Sequence, residues 1–150
     1  GDRKLGSVVG GSAKEGTRLR QHFFDSKPSF KSLGDKVRRA ATKKYLKGLD
    51  GRKIFVRHPH AALNTLLQGG GAIVMKRGLV MLDSLINLQT LDAKFVANIH
   101  DEWQMEVRED IADFVGRLAV DCIQTAGNYY KLGCPMDGEY TIGDNWSETH

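Results

Sequence analysis

The 150-residue sequence has few of the residues that mark secreted, disulfide-bonded or membrane-spanning proteins. It contains two cysteines, Cys122 and Cys134, and no Cys-x-x-Cys pair, which predicts buried reduced thiols rather than a disulfide framework or a zinc site. No apolar run approaches the length of a transmembrane helix, and the N-terminus has no apolar signal core. The sequence therefore predicts no membrane partner and a cytoplasmic location. Its composition, 41% hydrophobic and 27% charged, is that of an ordinary globular domain.

Acidic residues are scarce in the first part of the chain and basic residues are scarce in the second. Residues 1–60 contain 16 Lys and Arg against 5 Asp and Glu, a balance of +11, whereas residues 61–150 contain 6 against 13, a balance of −7. A basic region attracts a phosphate backbone, and an acidic one attracts divalent cations. Solvated faces of charged helices are the alternative explanation of both charge runs.

The apolar spacing predicts a mostly helical chain. Ser12-Ala-Lys-Glu15 has the spacing of a capping box, and Pro28 suits the first turn of a helix. The predicted helices are a short one from Asp2 to Gly10, Ala13 to about Phe24, Pro28 to about Tyr45, about His60 to Asn87, and one from Ile111. The triplet Gly69–Gly71 either breaks the fourth helix or allows another backbone to come close, because each glycine costs a helix interior about 1 kcal/mol.

Strand signals are fewer. Asp50-Gly51 predicts a small hairpin, residues 134–142 predict a last strand, and Trp146 is expected to be buried near the chain end. The clearest signal is residues 95–107, where apolar and polar positions alternate on both sides of His100-Asp101-Glu102. Two neighbouring acids at a hairpin tip repel each other unless a cation lies beside them, and their hard oxygens suit Mg²⁺ or Mn²⁺. An ordinary solvated acidic turn is the alternative.

Three separated stretches resemble family A DNA polymerases. The strand-turn-strand around His100-Asp101-Glu102 is similar to a motif of their palm, and residues 47–68, KGLDGRKIFVRHPHAALNTLLQ, look like the phage-type branch of the family. The closing residues 143–150, GDNWSETH, resemble the C-terminus of those enzymes. The resemblance covers essentially the whole chain but only the last part of a polymerase.

The resemblance implies an α/β (α+β) fold, mostly helical with a palm-type antiparallel β-hairpin, that forms the C-terminal part of the right-hand polymerase fold. Residues 1–60 would be basic fingers helices and a hairpin, and residues 60–150 the palm helix, the catalytic hairpin and the C-terminus. The implied partners are a DNA primer–template, deoxynucleoside triphosphates and the missing N-terminal part of the polymerase. A phage-encoded chain would act in the host cytoplasm.

The resemblance also implies a role for individual residues. Asp101 would be the second of the two carboxylates that hold paired Mg²⁺ (or Mn²⁺) ions, Glu102 a weaker or outer ligand, and His100 the residue beside the primer end. Asn64 and Gln68 would contact the minor groove at the primer terminus, because amides donate to acceptors that every base pair presents there. His60 would touch phosphate and the terminal His150 would lie near the same site, although the family more often has a longer cation at the position of His60.

Parts of the family pattern are missing. The other palm motif, Asp-x-Ser-x-x-Glu, is absent, as are the nucleotide-binding fingers signature and exonuclease acids. We therefore expect a fragment or split half that does not polymerise alone. Two alternatives remain: a non-catalytic DNA-binding remnant, and an HD-type metal phosphohydrolase in which His58 or His60, His100-Asp101 and a later acid such as Asp121 bind metal.

Overall fold

The computed structural model describes residues 1–149, which form two compact units. The first unit contains Gly1–Leu46 and Lys53–Thr65, and the second contains Lys47–Arg52 and Leu66–His150. Within residues 1–149, no helix combines the length and the apolar character needed to cross a bilayer. The assignment of residues 1–60 to fingers and 60–150 to palm is a functional division and stays a prediction.

The first unit begins with three helices, α1 (Asp2–Val8), α2 (Ala13–Ser26) and α3 (Pro28–Ala40). The Ser12 hydroxyl accepts the Glu15 amide at 3.4 Å, as the capping motif predicts, while the Glu15 carboxylate pairs with Arg18. Helix α1 lies against α2 at glycines: a Cβ on Gly16 would be 2.0 Å from the Asp2 carbonyl oxygen. Only hydrogen at this position allows the two backbones to approach so closely.

Helix α3 ends before the predicted Tyr45. A 3-10 turn follows it over Ala41–Lys43, and Lys44 has a φ of 62°, a left-handed conformation that a helix cannot continue through. The predicted small hairpin is present as β1 (Tyr45–Lys47) and β2 (Lys53–Phe55), which form a two-stranded sheet. Gly51 in its turn has a φ of 85°, so the hairpin predicted from Asp50-Gly51 is confirmed.

The long helix α4 (Ala62–Leu88) continues through Gly69–Gly71. It starts at Ala62 rather than at His60, because Pro59–Ala61 form a 3-10 turn first. Leu49 lies 3.6 Å from where a Cβ of Gly70 would be, an ordinary contact, and no heavy atom lies within 4 Å of the corresponding point on Gly71. The helix tolerates the glycines because its later turns are anchored by buried side chains: Ile73, Val74, Leu82 and Ile86.

The second unit packs α4 against an antiparallel hairpin, β3 (Ala93–Ile99) and β4 (Glu102–Val107), and against α5 (Ala112–Tyr129). Its core cluster contains Leu82, Ile86, Ala93, Val115 and Cys122. Two details of the sequence prediction are wrong here: Phe114 of the predicted apolar stripe is 47% exposed, and Cys134 is exposed whereas Cys122 is buried.

The predicted strand at residues 134–142 is wrong, because this segment runs along α5 and is held by side chains rather than by a strand ladder. The Tyr140 ring covers Gly116, and its hydroxyl donates to Asp113 at 2.6 Å. This hydrogen bond raises the pKa of Tyr140, with smaller contributions from burial and from the Asp113 charge. The chain ends in a short helix, α6 (Trp146–Thr149). Trp146 is 54% exposed, so its predicted burial is also wrong.

Candidate functional site

The β3–β4 hairpin turns tightly because one strand contains an extra residue. Phe95 pairs with Met105, but the next pair is Ala97 with Gln104, so Val96 forms a bulge. Without the bulge the same register would continue to pair Asn98 with Glu102 and would leave a three-residue loop, Ile99–Asp101. With it, Ile99 pairs with Glu102 and only His100 and Asp101 remain for the turn. The bulge thus shortens the turn from three residues to two and brings Ile99 opposite Glu102.

His100 supplies the backbone conformation that a glycine usually supplies. It occupies the first central position of the two-residue turn with a φ of 55°. Positive φ at this position is what the primed hairpin turns require, and histidine adopts positive φ more readily than most non-glycine residues. His100 therefore occupies the position where such a turn usually has a glycine, at a cost in backbone strain.

The two acids of the motif have different surroundings. Asp101 is exposed in the turn, and Glu102 is half-buried at the first position of β4. Because residues two apart in a strand share a face, Gln104 lies beside Glu102, and its Nε2 donates to Glu102 Oε1. One carboxylate therefore faces solvent, and the other is held by an amide.

Aromatic side chains pack the hairpin against α4 within the second unit. Phe95 and Trp103 meet edge to face with ring centroids 6.2 Å apart, and Trp103 packs over α4 at Gly78, where a Cβ would lie 3.0 Å from the indole ring. Trp103 Nε1 is buried and has no hydrogen-bond partner among residues 1–149. Aromatic packing of this kind gives the tip a fixed base.

The tip offers a donor set for a hard divalent cation but not a complete cage. The exposed carboxylate of Asp101 and the half-buried carboxylate of Glu102 are ligands that Mg²⁺ and Mn²⁺ accept, and Mg²⁺ commonly uses one or two carboxylates with water and phosphate. Among residues 1–149, no group of three His, Cys, Asp or Glu side chains is arranged to hold a metal ion. The residues present fit a site that substrate phosphates or another carboxylate would complete.

The predicted DNA-contacting residues lie around the start of α4. Asn64 and Gln68 are one helical turn apart, and both are exposed. His60 lies in the preceding 3-10 turn, exposed, with its ring stacked on that of His58 at 5.4 Å between centroids. His150 lies outside the described residues. The side chains of Asn64, Gln68 and His60 are accessible to a partner, and the contact of all four predicted residues with DNA stays a prediction.

Sequence reasoning missed Gln104 and the way the last residues fold. The Glu148 carboxylate accepts the Asp144 amide at 3.0 Å and the Asn145 side chain at 2.7 Å, which closes residues 144–148 into a compact cap. Thr149 at the end of α6 then donates to Gln104 Oε1 at 3.3 Å. The only available signal was the position of a glutamine two residues after Glu102 in an alternating segment.

The structure argues against the HD-type phosphohydrolase. That arrangement places its His-Asp pair on a helix, whereas His100 and Asp101 form a turn between two strands. The required grouping with His58 or His60 and Asp121 does not occur among the described residues, where no cluster of three potential metal ligands is found.

Known proteins resemble the chain along nearly its whole length. The sequence model of DNA polymerase family A matches residues 1–148. The DNA-directed DNA polymerase of Escherichia phage Phieco32 is 38% identical, with all of this chain and 26% of that protein covered. The polymerase of Enterobacteria phage T3 is 33% identical, again over the whole chain and 24% of the relative. The chain thus spans about a quarter of the length of these relatives.

A solved structure shares the fold. It is described as the POL domain of Pol1 from M. smegmatis in complex with DNA primer-template and dNTP. The TM-score is 0.77 at 22% sequence identity, covering 91% of this chain and 26% of that one. At this identity the likeness supports the α+β polymerase fold alone.

Proposed function

Because this chain belongs to DNA polymerase family A, we propose that it contributes a metal-binding carboxylate and primer–template contacts to template-directed DNA synthesis. The observation that carries the proposal is the exposed Asp101 at the tip of a hairpin whose bulge, turn and aromatic base fix its position. The proposal concerns one part of a larger active site, because the chain spans about a quarter of its relatives.

Asp101 would bind a divalent cation, and Glu102 would act as an outer ligand. When bound in such a site, Mg²⁺ or Mn²⁺ supplies activation of the primer 3′ hydroxyl and charge stabilisation at the leaving pyrophosphate. The protein's part is to hold the carboxylates still: Asp101 by the two-residue turn and Glu102 by the Gln104 amide. His100, in the same turn, would lie beside the primer end.

The start of α4 would contact the primer–template. The exposed amides of Asn64 and Gln68 can donate to purine N3 and pyrimidine O2, which all four base pairs present in the minor groove. His60 would contact backbone phosphate, with His150 near the same site. The balance of +11 in residues 1–60 supports attraction to phosphate without sequence preference.

The chain alone would not polymerise. It lacks the Asp-x-Ser-x-x-Glu motif, which would supply the partner carboxylate, and the fingers signature, which would bind the triphosphate. A second chain or segment carrying the N-terminal polymerase part would complete it. Primer extension by the isolated chain with Mg²⁺ and all four deoxynucleoside triphosphates tests this point, and robust synthesis would contradict it.

Metal binding is tested by Mn²⁺ titration followed by loss of the free-Mn²⁺ EPR signal. Asp101→Asn should remove the tightest site because it deletes the exposed anionic oxygen while keeping the side-chain shape. Asp92→Asn is the matched control, since Asp92 is an exposed aspartate at the other end of the same hairpin and changes the net charge equally. Equal Mn²⁺ binding by Asp101→Asn and wild type would leave a non-catalytic DNA-binding role.

A further inference from the structure

We propose that Gln104 is a positioning residue that couples the C-terminal cap, residues 143–149, to the acidic tip of the β3–β4 hairpin. The proposal rests on the divalent-cation site proposed above. Its basis is that one side-chain amide is used at both ends: Nε2 donates to Glu102, and Oε1 accepts the Thr149 hydroxyl. When the C-terminal cap is folded and Thr149 contacts Gln104, cation binding at Asp101 and Glu102 would thereby be stronger.

The hairpin register places Gln104 where it can do this. Glu102 and Gln104 share one face of β4 because they are two residues apart in the strand, and the Val96 bulge sets Gln104 opposite Ala97 and Glu102 opposite Ile99. The small Ala97 side chain opposite Gln104 leaves room for the amide to reach outward along the strand. Without the bulge, Trp103 would stand opposite Ala97 in place of Gln104.

The two hydrogen bonds also fix which way the amide points. Reversing it would direct Oε1 at the Glu102 carboxylate and Nε2 at the Thr149 hydroxyl, replacing an attraction by repulsion at the charged end. The bond to the carboxylate is charge-assisted and hence the stronger of the two. Thr149 shares its single hydroxyl proton between Gln104 Oε1 and the Trp146 carbonyl, which lies at 3.2 Å. The hydrogen bond from Thr149 is therefore the one of the two that adjusts.

The C-terminal cap has its own internal support. Glu148 closes it through Asp144 and Asn145, and a Cβ on Gly143 would lie 2.7 Å from the Glu148 Cβ, so a glycine is needed where the chain enters the cap. When the cap is folded, the Thr149 hydroxyl lies within hydrogen-bonding distance of Gln104 without further rearrangement. Cap folding and Glu102 orientation are then linked through one amide.

Holding one oxygen of Glu102 affects cation binding at the tip. A ligand carboxylate whose outer hydrogen bond is removed commonly loses about tenfold or more in metal affinity, because the carboxylate is then oriented less firmly. Gln104→Leu, which keeps the size and removes the amide, is therefore expected to weaken Mn²⁺ binding about tenfold. Thr149→Val removes only the hydroxyl and is expected to weaken it by about threefold, the value of one neutral hydrogen bond.

The experiment compares Mn²⁺ affinities of the full 150-residue chain by EPR, with circular dichroism to confirm that each variant is folded. Thr149→Ser is the matched control, because it keeps the hydroxyl and should retain the wild-type affinity. The double variant Gln104→Leu with Thr149→Val should bind like Gln104→Leu alone, since Thr149 acts through that amide. A purely structural role for Thr149 would change thermal stability without changing Mn²⁺ affinity.

The outcomes separate this inference from the function it rests on. If Asp101→Asn binds Mn²⁺ as wild type does, the proposed cation site is wrong, whatever the Gln104 variants show. If Asp101→Asn loses the site while Gln104→Leu and Thr149→Val bind as wild type or more tightly, the coupling is wrong and the cation site stands. Additive losses in the double variant would also overturn coupling through Gln104.

Discussion

The left-handed conformation of His100 predicts an unusual order of stability for two substitutions. At most positions in folded elements Ala is preferred to Gly, because Gly loses about 0.5–1 kcal/mol more on folding. His100 has a φ of 55°, where a Cβ costs roughly 1–2 kcal/mol. His100→Gly removes this strain, whereas His100→Ala keeps it and loses the side chain.

The magnitude follows from these two terms. The relief of strain exceeds the entropic cost of glycine, so His100→Gly should be more stable than His100→Ala by about 1 kcal/mol. For a chain of this size the difference corresponds to roughly 2–4 °C in Tm. Both variants lack the imidazole equally, so any loss of DNA or cation binding caused by the imidazole should be the same in both.

Denaturant unfolding followed by Trp103 fluorescence reports on this hairpin directly. A Trp146→Phe background leaves Trp103 as the single tryptophan, and Trp103 lies two residues beyond the turn. Equal stability of the two variants, or greater stability of His100→Ala, would refute the strain at His100. Binding losses that track stability rather than the missing imidazole would show that His100 acts only through the turn.

Four further predictions follow from the fold and the charge distribution. Gly16→Ala should release α1 from α2, because its Cβ would lie 2.0 Å from the Asp2 carbonyl oxygen, and amide exchange in residues 2–9 should speed up. Gly71→Ala, with no heavy atom within 4 Å, should instead stabilise α4 by about 1 kcal/mol. Ultraviolet titration should find one tyrosine with a raised pKa that Tyr140→Phe removes; the contact to Asp113 is intact at neutral pH and is lost as pH rises through that raised pKa. Affinity for duplex DNA should fall steeply between 50 and about 200 mM salt, and a flat dependence would contradict phosphate contact by residues 1–60.

The sequence alone determined helices α1 to α5, the two hairpins and the family, because these depend on local or short-range signals. The Ser12 cap, Pro28, the Asp50-Gly51 turn and the alternation of residues 95–107 each act within a few residues, and the structure has the corresponding elements. The acidic turn was recognisable because two adjacent carboxylates without glycine are not chosen by turn chemistry.

Tertiary structure decided what depends on contacts distant in the sequence. A strand was predicted at residues 134–142, yet this segment lies along α5 because Gly116 leaves a surface for the Tyr140 ring. The bulge at Val96 cannot be read from an alternating pattern, since it depends on how two strands pair, and it brings Ile99 opposite Glu102 so that only His100 and Asp101 remain for the turn. The link from Gln104 to Thr149 spans 45 residues, a separation that only the folded chain brings within hydrogen-bonding distance.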